Sequence, residues 1–122
     1  MVGGSDSVTR MPDCKLSYGS RVDVHSWSKD VATTGPKGDL FSDGNNNSYT
    51  DSFNGTSSAT GIVGGVVASL QGVAKANGIT LTSMEMRDLL SSTGTPQEVG
   101  PHGELIGPQP DLAAAIQALL GP

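Results

Sequence analysis

The sequence predicts an α/β fold and, more narrowly, one part of a larger α/β domain. Three observations carry this. Residues 57–76 read as a helix whose apolar side chains Ile62, Val63, Val66, Val67, Ala68, Leu70, Val73 and Ala74 nearly encircle it, and a helix apolar all round is a buried one. Strand-like stretches lie N-terminal to it, and the clearest is the alternating RVDVHSW of Arg21–Trp27. Only short helices follow. About three short strands and two short helices do not readily enclose a helix on every side, so further layers are expected around it.

Taken in order, Val2–Val8 reads as the tail of a strand running into a turn, and Thr9–Tyr18, broken by Pro12, as a loop. Arg21–Trp27 puts Val22 and Val24 on one face and Arg21, Asp23 and His25 on the other, the pattern of a strand with one buried face. Asp30–Thr34 is a second short extended piece, ended by Gly35-Pro36. Residues 37–52 are polar, rich in Gly, Asn and Asp and without periodicity, which predicts a surface loop. The long helix then runs to about Ala76, with Gly78 as its left-handed cap and Gly64, Gly65 and Ala68 small enough for close packing. Thr82 and Glu85 have the spacing of a capping box for the next helix, with Leu81 placed as its hydrophobic staple and Gly94 near its end. Thr95–Pro110 is a Pro/Gly-rich linker, and Asp111 caps a last helix over Leu112–Leu120.

Composition narrows the function. The 122 residues carry seven Lys and Arg against twelve Asp and Glu, a net charge of −5. An acidic chain without a basic run argues against nucleic acid and anionic membranes as partners. No apolar run approaches the roughly 20 residues of a membrane span. The start, Met1-Val2-Gly3-Gly4, has neither the basic nor the apolar region of a secretory signal. The single cysteine, Cys14, has no internal disulfide partner and no activating neighbour, so it reads as a loop or packing residue.

The most informative stretch is Phe53–Gly65, FNGTSSATGIVGG. A turn-forming Asn-Gly-Thr delivers Ser57 to the start of the long helix. Helix N-termini carry unpaired N–H groups and about half a positive charge, which suits an oxyanion forming beside a nucleophilic serine. Gly55 allows the sharp turn and leaves room for a substrate.

GTSSAT at Gly55–Thr60, with IVGG after it, resembles the nucleophile motif of the subtilisin-like serine peptidases, the subtilases. YGSRVDVHSW (Tyr18–Trp27), VATTGPKGDLF (Val31–Phe41), YTDSF (Tyr49–Phe53), LTSMEMRDLLSSTGTPQ (Leu81–Gln97) and IGPQPDLAAAI (Ile106–Ile116) extend the resemblance over nearly the whole chain. It implies the C-terminal portion of a three-layer α/β domain with a mostly parallel sheet, spanning residues 1–122. It also implies a serine endopeptidase that cleaves peptide or protein substrates by acyl transfer. Ser57 would be the catalytic nucleophile, with Gly55 and Thr56 shaping the substrate-binding turn. The family's triad runs Asp, His, Ser along the chain. No Asp-Gly strand-end motif, His-Gly-Thr motif or Ala-Gly-Asn oxyanion segment precedes Ser57. Gly61 stands where the family has proline. The missing groups are therefore expected from an N-terminal part of the domain acting as partner. The alternative is a catalytically inactive fragment or split subunit that works as a protein-interaction module. Family habit implies a secreted or periplasmic location.

Other candidates weigh less. His25 sits on a strand at a position unlike the family's histidine motif, and His102 sits in a linker after the serine; a partly exposed histidine is the default for both. Asp39, Asp43, Asn45, Asn46, Asn47 and Asp51 offer hard oxygens, and the resemblance leaves calcium open as a cofactor. Their spacing does not fit an EF-hand, so a surface loop without metal is the preferred reading. Trp27 reads as a packing residue.

Overall fold

β1 (Val2–Ser5) and β2 (Val24–Trp27) pair in parallel, with Val2 opposite Val24 and Ser5 opposite Trp27. β3 (Val31–Thr34) and β4 (Tyr49–Phe53) form a separate antiparallel hairpin, irregular between Val31 and Thr33. Three helices follow: α1 (Thr56–Ala76), α2 (Ser83–Thr93) and α3 (Leu112–Leu120). The structure, a computed structural model, describes residues 1–35, 38–44 and 46–121.

α1 lies across β1 and β2, while α3 packs against both α1 and α2. The core between these layers is Val24, Val63, Leu70, Met86, Leu90 and Ala115, flanked by the partly buried Val2, Val67, Leu112 and Ile116. The mixed helix and strand architecture and the parallel pair are as expected. The antiparallel hairpin is not: β4 falls in what the sequence reads as loop and resemblance alone. Its burial alternates, Thr50 in and Tyr49, Asp51 and Phe53 out, but the polar Asp51 and Ser52 hide that period.

The expectation that α1 is covered on every side is met on one side only. Val63, Leu70 and Ala74 are buried, Ile62, Val66, Val67 and Val73 are half-buried, and Gly61, Gly64, Gly65 and Ala68 are exposed. The described strands and helices occupy one flank of the helix and leave the glycine flank open. At twenty-one residues α1 is also long and apolar enough to cross a membrane, which corrects the reading that no segment approaches that length. Here its buried flank serves as the core helix.

The alternation on β2 is misread in the sequence. Val24, His25 and Ser26 are all buried, as on a strand covered on both faces. α1 covers one side. The segment the sequence reads as a linker lies along the other edge, where the His25 N–H donates to Pro108 O at 3.0 Å. This segment is a strap rather than a spacer. Thr95 and Gln109 exchange two backbone hydrogen bonds of 2.8 Å, and Ile106 is only 1% exposed.

The helix ends follow the sequence. Glu85 N–H donates to Thr82 Oγ1 and Thr82 N–H donates to the Glu85 carboxylate at 2.8 Å, which completes the capping box. Gly78 has φ +69, its N–H reaches Lys75 O and the Ile79 N–H reaches Ala74 O, so α1 closes in a Schellman motif. Asp111 caps α3 by accepting from the Ala114 N–H at 2.9 Å.

Candidate active site

β4 delivers the chain to the N-terminus of α1 through Asn54 and Gly55. Gly55 is the N-cap, with φ 97 and ψ 174, a region closed to residues with a Cβ. That backbone turns the chain sharply into Thr56, the first helical residue, one earlier than the sequence suggests. Ser57 is therefore the second residue of the helix and Ser58 the third.

The two serines point to opposite environments. Ser58 is 5% exposed, and its hydroxyl lies 2.7 Å from Gly55 O and 3.2 Å from Trp27 O, to which it donates. Ser57 is exposed, and among the described residues its hydroxyl has no hydrogen-bond partner. No side chain caps α1, although the Ser58 N–H donates to Gly55 O at 3.2 Å, so the positive end of the helix lies beside Ser57. The first turn holds no acidic residue to neutralise it.

Three bonds shape this turn, and two of them moor it to the chain just past β2. Gly55 N–H donates to Ser28 O at 2.8 Å. Asn54 Oδ1 accepts from the Asp30 N–H at 3.1 Å, while its amide donates to Ser52 O at 2.7 Å. Ser28 is fixed in turn: its N–H and its hydroxyl both donate to Ser5 O, at 2.8 and 3.1 Å. Asn54, Ser28 and Ser58 are absent from the sequence-based candidates. An Asn before a Gly is a turn signal that was available at Asn54. The roles of Ser28 and Ser58 depend on partners far along the chain, Ser5 O and Gly55 N–H for Ser28 and Trp27 O for Ser58, and no local pattern announces them.

Neither histidine meets Ser57. His25 is 1% exposed, against the expectation of partial exposure, and its Nδ1 lies 2.7 Å from Gly107 O. Burial pushes its pKa below the usual histidine value, the Gly107 bond opposes this, and the Arg10 charge adds to the lowering. His102 is exposed in the Gly100–Gly103 turn, and its N–H donates to the Glu104 carboxylate at 3.1 Å. Trp27, read as a packing residue, is 41% exposed.

Of the oxygen-rich loop, Asn45 lies outside the described residues. Asp43 accepts from the Asn47 amide at 2.8 Å, and Asp39 accepts from the Ser52 hydroxyl at 2.6 Å. Among the described residues no group of three or more His, Cys, Asp or Glu is placed to hold a metal ion. An apolar groove of about 290 Å³ opens between β2, α1 and α2, and none of its lining residues belongs to the Ser57 turn.

Comparison with known proteins agrees with this fold. No curated protein matches significantly. Among solved structures, one titled "Structure of Patellamide maturation protease PatA" superposes with a TM-score of 0.74 at 24% sequence identity. That likeness covers 98% of this chain and 42% of the PatA chain, so the protein spans less than half the length of that neighbour. The family model described as "Subtilase family" matches residues 2–107. A match over so much of its length makes this chain a member of the subtilase family, peptidase S8.

Proposed function

We propose that this chain is the nucleophile-bearing part of a subtilisin-like serine endopeptidase. The observation that carries the reading is Ser57, an exposed and unbonded hydroxyl on an uncapped helix N-terminus. Its Oγ attacks the scissile carbonyl of a peptide or protein substrate. Its own N–H then faces the oxyanion that forms, in the position where such donors act. Gly55 and Thr56 border the substrate's approach. The proton of Ser57 needs a base, the base needs a carboxylate to orient it, and the oxyanion needs a second donor. No described residue bonds to the Ser57 hydroxyl, so these three groups come from a further polypeptide segment that packs beside α1, in the manner of a triad assembled from distant parts of a chain. The site takes no metal or organic cofactor in this scheme, and the family's habit places it outside the cytoplasm.

Loss of one oxyanion donor alone costs about 10²–10³ in kcat. The chain alone is therefore expected to resist labelling by a fluorophosphonate. Joined to the N-terminal segment of a subtilase domain, it should label at Ser57, and the Ser57→Ala variant should not. Peptide turnover by the chain alone would overturn the need for the added segment. Failure of the joined protein to label, although folded, would overturn Ser57 as the nucleophile.

The open flank of α1 favours a second reading, a silent module that docks to a partner through Gly61, Gly64 and Gly65. In that case the Ser57→Ala variant binds the partner as well as the parent does, and neither form labels.

A further inference from the structure

We propose that His25 is an acid-sensitive latch: protonation of its ring releases the strap of residues 103–109 from the outer edge of β2.

The geometry defines the latch. Gly107 O can only accept a hydrogen bond, so His25 Nδ1, 2.7 Å away, carries the proton and donates. Nε2 is then a bare lone pair. It is buried, and it is the one buried side-chain nitrogen or oxygen without a partner among the described residues. The His25 backbone N–H adds a second tie, to Pro108 O. Between these ties Gly107 presses so close to the Asp23 carbonyl that any Cβ would overlap it. Ile106 sits just before them, 1% exposed and against Gly3. The strap also has its own brace, because Gln97 accepts from the Ile106 N–H and donates to Glu104 O, both at 2.7 Å. Gly19 N–H, which donates to Leu105 O at 2.7 Å, and Thr95, which exchanges two backbone hydrogen bonds with Gln109, anchor its ends, so release lifts residues 106–108 between these anchors.

Protonation would place a hydrogen on Nε2 with nothing to receive it. The charged groups around β2 offer no relief. On β1, Val2–Ser5 carries no ionisable side chain. On α1 the one charged residue is Lys75, in the last turn. From the loop after β1, Arg10 repels a charged ring and is itself paired with Glu98 at 2.6 Å. On the strap, Glu104 accepts from the His102 N–H, and His102 is exposed. Just before β2, Asp23 pairs with the N-terminal amine and with Arg87. A buried cation without a partner is strongly disfavoured, and water reaches Nε2 only if the strap moves away.

The sign follows from this. The docked form holds its proton more weakly than a free histidine of pKa 6.5, so acid favours the released form. The opening constant rises by up to about tenfold for each pH unit between 6.5 and the pKa of the docked form. Release also frees the edge of β2 two residues before Trp27 and Ser28, whose carbonyls moor the Ser57 turn. The latch itself does not depend on the chemistry of Ser57.

Hydrogen exchange by mass spectrometry on the whole chain tests it, at pH 7.5 and 5.0 with correction for intrinsic exchange. The expected result is a loss of protection in peptides covering 104–109 at the lower pH, with α2 peptides unchanged. The His25→Asn variant keeps a donor near the Nδ1 position but has nothing to protonate, and its strap should stay protected at both pH values. Unchanged strap protection in the parent at pH 5.0 would overturn the proposal, as would an equal loss in the Asn variant. If that variant does not fold, the His25 ring resonances of the parent decide. A ring midpoint that coincides with strap opening supports the latch, and a ring that titrates while the strap stays closed overturns it.

Discussion

The Ser58 hydroxyl reaches two carbonyls within the fold, while among the described residues the Ser57 hydroxyl beside it reaches none. One helical position rotates a side chain by about 100°, enough here to turn a structural serine into an exposed one. The sequence singles out Ser57 through the motif, while its exposure is visible only in the fold. It could not announce Ser58, because that role needs Trp27 O, which lies 31 positions away. Gly55 sets the angle between the two roles. With φ 97 and ψ 174 it occupies a region essentially restricted to glycine. We expect Gly55→Ala to destabilise the chain by about 1–3 kcal/mol in urea unfolding. The crowding of the new Cβ is not the cause, since the nearest atom to it is Ser57 N at 4.0 Å. The exposed, unbonded Ser57→Ala should stay within about 0.5 kcal/mol of the parent. A Gly55→Ala variant as stable as Ser57→Ala would show that the turn is not strained as described.

Helix ends were legible in the sequence, and strand faces were not. Thr82 with Glu85, Gly78 and Asp111 all act as their local chemistry suggests, because a cap is satisfied within a few residues. The β2 face of His25 was misread because the cover comes from residues 106–108, more than 80 positions away. A polar residue at an alternating position looks exposed until the distant strap is known. β4 was missed for the same reason, since its partner β3 lies across the long loop. The capping box gives a direct test. Thr82→Ala removes the acceptor for the Glu85 N–H and should lower stability by about 1 kcal/mol, with Thr82→Ser close to neutral. Glu85 is held below its usual carboxylate pKa by the Thr82 N–H and hydroxyl. Its contribution is present above pH 4.5, the ordinary value, and is lost as pH falls below it. The gap between Thr82→Ala and the parent should therefore narrow in acid; a gap independent of pH would remove Glu85 from the account.

At the scale of the whole molecule, one flank of α1 is core and the other has no described residue packed against its glycines. Gly61, Gly64, Gly65 and Gly72 would each accept a Cβ with no atom within 4 Å. Glycine in an open helix flank is a liability, about 0.8–1 kcal/mol per residue relative to alanine. The described residues give no return for that loss. A closely packed neighbour would give one, in keeping with the further layers that the nearly encircling apolar side chains lead one to expect. Two substitutions separate these effects. Gly65→Ala should stabilise the chain alone by up to about 1 kcal/mol in urea unfolding, since the site is open and helical. Gly65→Leu should also be tolerated by the chain alone, but its side chain would fill the space a neighbouring element needs. Mixed with the N-terminal segment of a subtilase domain, the parent should assemble in sedimentation velocity and the Gly65→Leu variant should not. Assembly of the Leu variant as tight as that of the parent would mean that the completing layer packs elsewhere, and that the glycines of α1 serve no close approach.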